Sequence, residues 1–158
     1  MADTRAATNP LYSPNRLKLG VFGLNVGKGC AMTTVPEALA LDWPRNLTLA
    51  QKADAAGFEA LIPVGRYLGM GGPSNFNGDS NEVFCWAAGM AKGTRRTTVM
   101  ATSNTLLMHP LVGAKQIATI DHISGGRFAM NVICGWYEKE IEMFGAAQMA
   151  HDDRYERA

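Results

Sequence analysis

Short apolar runs alternate along the chain with longer stretches whose apolar positions recur every three or four residues. The first run, Lys18–Gly23 (KLGVFG), has the β-branched and aromatic content of a strand. A helix is predicted over Asn46–Ala56, where Leu47, Leu49, Ala50, Ala53 and Ala56 recur near helical spacing. Pro44 stands just ahead of it, where proline is tolerated, and Gly57 is a C-terminal stop. Glu59–Val64 (EALIPV) predicts a second strand that ends at Pro63, because proline cannot donate to a sheet. After a glycine-rich loop, Gly65–Ser80, the pair Asp79 and Glu82 resembles a capping box opening a second helix. That helix carries Val83, Phe84, Trp86, Ala87 and Met90 inward and stops at Gly93. Thr97–Thr105 predicts the third strand and Pro110–Ile123 the third helix, with Leu111, Ala114, Ile117, Ala118 and Ile120 as its buried stripe. Gly125-Gly126 ends it, Arg127–Cys134 is the fourth strand, and the charged segment from Glu138 to Ala158 begins a fourth helix. Residues 1–16 read as a loose arm.

The order is β-α-β-α-β-α-β-(α), and strands joined by helical crossovers are parallel. An open doubly wound sheet and a (β/α)8 barrel both satisfy it. The open dinucleotide-binding fold announces itself with GxGxxG after the first strand, whereas Gly23-Leu24-Asn25-Val26-Gly27-Lys28-Gly29 has the wrong spacing. The same stretch is no phosphate-binding P-loop, since Gly29 stands where Ser or Thr must follow the lysine. The barrel gains by this. A full barrel takes about 250 residues. The expected organisation is therefore an arm, 1–16, followed by the N-terminal half of a TIM barrel, 17–158, from a longer or truncated protein. Open edges at strands one and four, with Trp86, Met90 and Ile117 as added apolar helix surface, predict self-association into a homodimer or larger homo-oligomer.

Composition narrows the function classes. Of the 158 residues 47% are apolar and 18% charged, enough for a packed core. The formal net charge of +1 lacks the concentrated basic face that nucleic acid or an anionic membrane requires. No apolar run approaches the roughly 20 residues that span a bilayer. The polar Met1–Pro14 segment lacks the apolar stretch of a secretory signal. Cys30, Cys85 and Cys134 are odd in number and widely spaced, which points to a reducing, cytoplasmic compartment, and no zinc-ligand spacing is present. Asn46-Leu47-Thr48 is a glycosylation sequon that means little without secretion.

A barrel places its chemistry at the C-terminal ends of its strands. Those ends are Asn25, Gly65–Tyr67, Thr102–Thr105 and Asn131–Trp136. Thr102, Ser103, Asn104 and Thr105 form a polar exit from an apolar strand, readable also as a plain turn. Asn131 lies inside Phe128–Cys134, where a buried amide needs partners. It is either satisfied internally or aimed into the barrel mouth. Trp136 and Glu140 are four apart, one helical turn, and would share a face. His109 reads as a helix start and His122 as a helix end, neither with an acid or nucleophile beside it in sequence.

The stretch from Ala118 to Trp136 (ATIDHISGGRFAMNVICGW) resembles the helix-three-to-strand-four signature of bacterial luciferase-like flavin monooxygenases. The resemblance runs from about Leu17 to Arg157 and leans toward the pyrimidine and dimethyl-sulfone monooxygenase branch. It implies a (β/α)8 barrel that takes reduced FMN from a separate flavin reductase, reacts it with O2 and oxygenates a small organic substrate. By matching motif it implies Asn131 beside the isoalloxazine and Thr102 near the oxygen-reacting edge. It likewise implies Gly65-Arg66 as a flavin-contacting pair, Trp136 and Glu140 at the substrate end, and Arg154-Tyr155 reaching the FMN. In the pyrimidine enzymes an apolar residue and a lysine stand where this chain has Gly65-Arg66. The family's main phosphate site belongs to its second half, so residues 1–158 alone are expected to bind FMN weakly and to be inactive. Two other readings stay open: a deazaflavin (F420)-dependent hydride-transfer enzyme of the same superfamily, and a non-catalytic flavin-binding fragment.

Overall fold

The computed structural model describes residues 4–158. Two 3-10 turns, Thr4–Ala7 and Pro10–Tyr12, precede the first strand, β1 (Gly20–Phe22). There follow α1 (Trp43–Ala56), β2 (Ala60–Ile62), α2 (Val83–Gly93), β3 (Thr98–Asn104), α3 (Pro110–Ser124), β4 (Phe128–Ile133), α4 (Glu138–Met143) and α5 (His151–Arg157). The sheet order is β1-β2-β3-β4 and every pairing is parallel. Each strand thus lies beside the next in sequence, as in successive units of a (β/α)8 barrel, and four such units are present.

Alternation along the strands divides the sheet into two faces. Leu61, Val99 and Ala101, each 0% exposed, point to the helices and pack in one core with Phe84, Trp86, Ala87 and Met90. Thr98, Met100, Thr102 and Asn104 of β3 take the opposite face, where Thr102 is in register with Asn131 of β4. In a closed barrel that face is the interior.

Several boundaries differ from expectation. The loop residue Asp79 does not cap α2. Glu82 does so itself, its carboxylate accepting from the amides of Phe84 and Cys85 at 3.1 and 2.7 Å. Asp42 caps α1 earlier than predicted, so Pro44 sits inside its first turn rather than ahead of it. On α3 the buried line runs through Gly113, Ile120 and Ser124 with Ile117 half-buried, at helical spacing. Leu111, Ala114 and Ala118 lie off that line and are exposed, Leu111 by 75%. Trp86 and Met90 are not surface either: α2 buries a wide face between the sheet and its neighbouring helices, and both are sealed in the core. The charged C-terminal segment forms two short helices, parted by a turn at Gly145, whose φ of +75° suits glycine.

The arm is docked along its described residues. Asn9 is buried, and its Oδ1 accepts from Thr98 Oγ1 at 2.6 Å and Leu11 N at 3.0 Å. Glu59 ties the arm to the first strand, accepting from Asn15 Nδ2 and Leu19 N, both at 2.8 Å. The hydrogen bond from Asn15 and then that from Leu19 hold the Glu59 carboxyl below its usual range. At this same N-terminal end of the strands, Arg127 is buried and donates five hydrogen bonds, to Ser124 O, Thr94 Oγ1, Thr97 O, Ala91 O and Thr94 O. Asp54 accepts from the amides of Arg95, Arg96 and Thr97 at 2.6–2.9 Å. Burial acts to raise the Asp54 carboxyl, but those amides and the charge of Arg127 outweigh it and hold it low.

Candidate active site

The C-terminal strand ends converge on a relay across three strands. Thr102 Oγ1 donates to Pro63 O at 2.8 Å, just past β2. Asn131 Nδ2 donates in turn to Thr102 Oγ1 at 3.4 Å. The Thr102 proton is therefore spent on a backbone carbonyl, and its hydroxyl is left as an acceptor. One Asn131 N–H is spent on Thr102. The second N–H and the amide oxygen have no partner among the described residues, and Asn131 is half-buried on the interior face. Thr102, matched to the oxygen-reacting edge, thereby fixes the direction of the Asn131 amide.

Gly65 makes this convergence possible. A Cβ there would come 2.9 Å from Thr102 Cγ2, so no larger residue lets the end of β2 lie against β3. Beyond it, the loop is held by Glu140. This residue is buried, and its Oε1 accepts from the amides of Tyr67 and, at 3.2 Å, Leu68. Its Oε2 lies 3.9 Å from Arg66 Nη1. Burial, and then the charges of Glu82 and Glu140, push the Tyr67 phenol up.

Trp136 and Glu140 do not share a helix face, because α4 begins only at Glu138 and Trp136 precedes it, 60% exposed. Arg66 joins them: its guanidinium carbon lies 5.1 Å from the Trp136 ring centroid and 5.4 Å from that of Tyr137. Arg66, Gly65, Thr102, Asn104 and Glu140 line one cavity of about 30 Å³ at these strand ends. Arg154 donates to Gly135 O at the end of β4, while Tyr155 is 61% exposed and stacks on His151 at 4.7 Å. So Gly65, Arg66, Thr102, Asn131, Trp136 and Glu140 gather at one mouth. Arg154 reaches its rim and Tyr155 turns to the surface. Asn25 is wholly committed to structure, pinning Val64 N and O at 2.7 and 2.8 Å.

Two participants escaped sequence reasoning. The Pro63 carbonyl is a backbone group and leaves no side-chain signal. Tyr137 closes the loop by donating to Gly69 O at 3.1 Å, and its only signal was adjacency to Trp136.

Among the described residues no helix is long and apolar enough to cross a membrane. The family profile of the luciferase-like monooxygenases matches residues 17–158. The chain is 35% identical over 129 residues to the pyrimidine monooxygenase RutA of Shigella flexneri, covering 82% of this chain and 34% of that protein. With RutA of Pantoea ananatis the identity is also 35%, over 82% of this chain and 36% of the relative. The chain thus spans about a third of the length of the curated relatives it matches. Among solved structures, EDTA monooxygenase EmoA from Chelativorans sp. BNC1 superposes with a TM-score of 0.76 at 22% identity, over 90% of this chain and 36% of that one. Riboflavin lyase RcaE, solved with modified FMN and riboflavin, gives a TM-score of 0.74 at 26% identity, over 90% of this chain and 35% of that one. A family profile that matches residues 17–158, relatives 35% identical over 82% of the chain, and a parallel sheet of successive β/α units leave one assignment: the chain belongs to the luciferase-like monooxygenase family.

Proposed function

We propose that the protein carrying this chain is a two-component monooxygenase that receives reduced FMN from a separate reductase and oxygenates a small organic molecule. The observation that carries this reading is the Asn131–Thr102–Pro63 relay, which leaves an amide donor and acceptor unspent on the interior face at the strand ends. These residues fit a flavin: a ring edge bearing an N–H group finds an acceptor in the amide oxygen of Asn131, and the second N–H of that amide is left for the oxygen that reacts beside it. Gly65, Asn131 and Arg154 are the residues that would hold it, with Tyr155 needing to turn inward to join them. Reduced FMN, when bound, supplies the two electrons with which one oxygen atom of O2 enters the substrate and the other leaves as water.

The chain's own part is positioning and electrostatics. With the cofactor bound, Asn131 would direct its second N–H at the oxygen on which negative charge grows, and Thr102 and Pro63 fix the direction of that amide in advance. Trp136 and Tyr137 wall the mouth against water, which would divert the reaction to peroxide. Glu140 orders the loop after β2 by holding two of its amides. The test is anaerobic titration of the protein with FMNH2, followed by oxygen and product analysis. Saturable binding of reduced flavin and an oxygenated organic product are expected. Hydride transfer to a deazaflavin without oxygen incorporation would replace this reading.

A further inference from the structure

The loop between β2 and α2 contains a unit closed on itself, residues 69–78. Its two ends touch: a Cβ added to Gly69 would lie 2.6 Å from Gly78 Cα, so only glycine permits the approach. Between the ends the chain bonds to itself. Met70 N donates to Phe76 O at 3.0 Å, Asn75 N to Gly72 O at 3.2 Å, Gly78 N to Asn75 O at 2.8 Å and Gly71 N to Asn75 Oδ1 at 3.3 Å. A compact loop with touching ends and its own bonds moves as one body. The chain on either side is fixed to the barrel end. Glu140 holds the amides of Tyr67 and Leu68, Ser80 Oγ donates to Arg66 O at 2.9 Å, and Asp79 O accepts from Gly27 N at 2.8 Å.

From the unit itself only two hydrogen bonds lead outward among the described residues. Tyr137 Oη, after β4, donates to Gly69 O at 3.1 Å, and Lys28 Nζ, after β1, donates to Ser74 O at 2.7 Å. Backbone strain gathers in the same place. The non-glycine residues with left-handed φ among the described residues are Lys28 (+63°), Asn75 (+38°) and Asn77 (+57°), one of the two outside donors and two members of the unit. Asn77 is also buried with its Oδ1 unpartnered. Such conformations persist only where the surroundings over-determine them, and they cluster at ligand clamps. Here the two outward bonds supply that constraint.

Gly69 lies two residues past Tyr67, which lines the cavity with Thr102 and Glu140, and Tyr137 adjoins Trp136 at the same mouth. We propose that residues 69–78 are a rigid cap over this mouth, hinged at the Gly69–Gly78 neck, and that Lys28 and Tyr137 are positioning residues that latch it down while oxygen reacts. This rests on the monooxygenase reading and deepens it: the mouth is closed to water by a movable unit, not by the aromatic rings alone.

Hydrogen exchange is measured first, without flavin. Lys28→Met and Tyr137→Phe should each accelerate exchange at least tenfold at the amides of Met70, Asn75 and Gly78 together, because one body is released. Lys28→Arg, which keeps a donor, should restore their protection, and the amides of β3 should keep wild-type rates. The protein is then loaded with FMNH2 and mixed with O2 alone, so that the flavin is oxidised and O2 leaves as hydrogen peroxide. Peroxide release should be at least threefold faster in Lys28→Met and Tyr137→Phe and near wild type in Lys28→Arg, with FMN affinity of Lys28→Met within twofold of wild type. Unchanged exchange, acceleration confined to the amides nearest the bond removed, or acceleration that spreads into β3 overturns the proposal. Faster exchange with unchanged peroxide release overturns it too, since the loop would then be structural only. Failure of the wild-type protein to bind FMNH2 would sink the monooxygenase reading, and the exchange rates would still decide whether residues 69–78 are one latched unit.

Discussion

The two ends of the sheet each bury an arginine and a carboxylate, and treat them in opposite ways. At the N-terminal end Arg127 and Asp54 are fully partnered by backbone and hydroxyl groups from α2, β3 and the turn between them. At the C-terminal end Glu140 accepts two backbone amides, whereas Arg66 makes no hydrogen bond among the described residues and Asn131 keeps one N–H and its amide oxygen unspent. Satisfied polar groups rigidify a fold, and unsatisfied ones are a reservoir of interaction for something not yet bound. One end of the sheet is thus satisfied internally while the other keeps unspent donors and acceptors, the end at which TIM-barrel enzymes place their chemistry.

The comparison breaks most visibly if both arginines are replaced by methionine and the proteins unfolded in urea. Arg127→Met leaves the backbone carbonyls of Ala91, Thr94, Thr97 and Ser124 without their donor and should cost about 3–5 kcal/mol. Arg66→Met breaks only a 3.9 Å ion pair with Glu140, which keeps its two amides, and should cost clearly less, about 1 kcal/mol. Equal losses in the two variants would erase the distinction. Glu140→Ala comes next, since it orphans the amides of Tyr67 and Leu68, at about 1–3 kcal/mol. Hydrogen exchange should accelerate at those two amides, while Glu140→Gln, which keeps an acceptor, preserves most of their protection.

Asp54 yields a smaller, pH-dependent effect. Its folded carboxyl lies below its ordinary value. The stability it contributes is therefore complete above the unfolded carboxylate range, near pH 4, and is lost as pH falls through the lower folded value. Urea midpoints measured between pH 6 and pH 3 should fall more steeply for wild type than for Asp54→Asn. Parallel slopes would show that Asp54 is not held low.

Much of the mouth was legible in the sequence. Gly65 and Arg66 lie just past β2, Thr102 and Asn131 in the later halves of β3 and β4, and Trp136 and Glu140 beyond β4, all at the end of the sheet that strand order predicts. The roles were less legible. Thr102 looks like a free hydroxyl until Pro63, thirty-nine positions earlier in the chain, takes its proton. That Glu140 also holds the Tyr67 and Leu68 amides through one oxygen has no signal in the residues around it. Long-range partners of this kind have no local pattern. The stripe on α3 was misplaced for a related reason: Gly113 carries no apolar signal, yet it faces Met108, whose sulfur would lie 2.8 Å from an added Cβ. The N-terminal end was almost silent, because no local pattern marks Asp54 or Arg127 as buried and hydrogen-bonded.

The central claim is that Thr102 acts through Asn131 rather than on oxygen itself. The most direct measurement is rapid mixing of the FMNH2-loaded protein with O2, scoring oxygenated product against peroxide, in Asn131→Ala, Thr102→Val and Thr102→Ser. Loss of the Asn131 donor should lower product formation roughly a hundredfold or more. Thr102→Val should lower it less and divert the flux to peroxide, and Thr102→Ser, which keeps the bond to Pro63, should restore it. Wild-type product formation by Asn131→Ala, or a Thr102→Val loss equal to that of Asn131→Ala, would contradict the account.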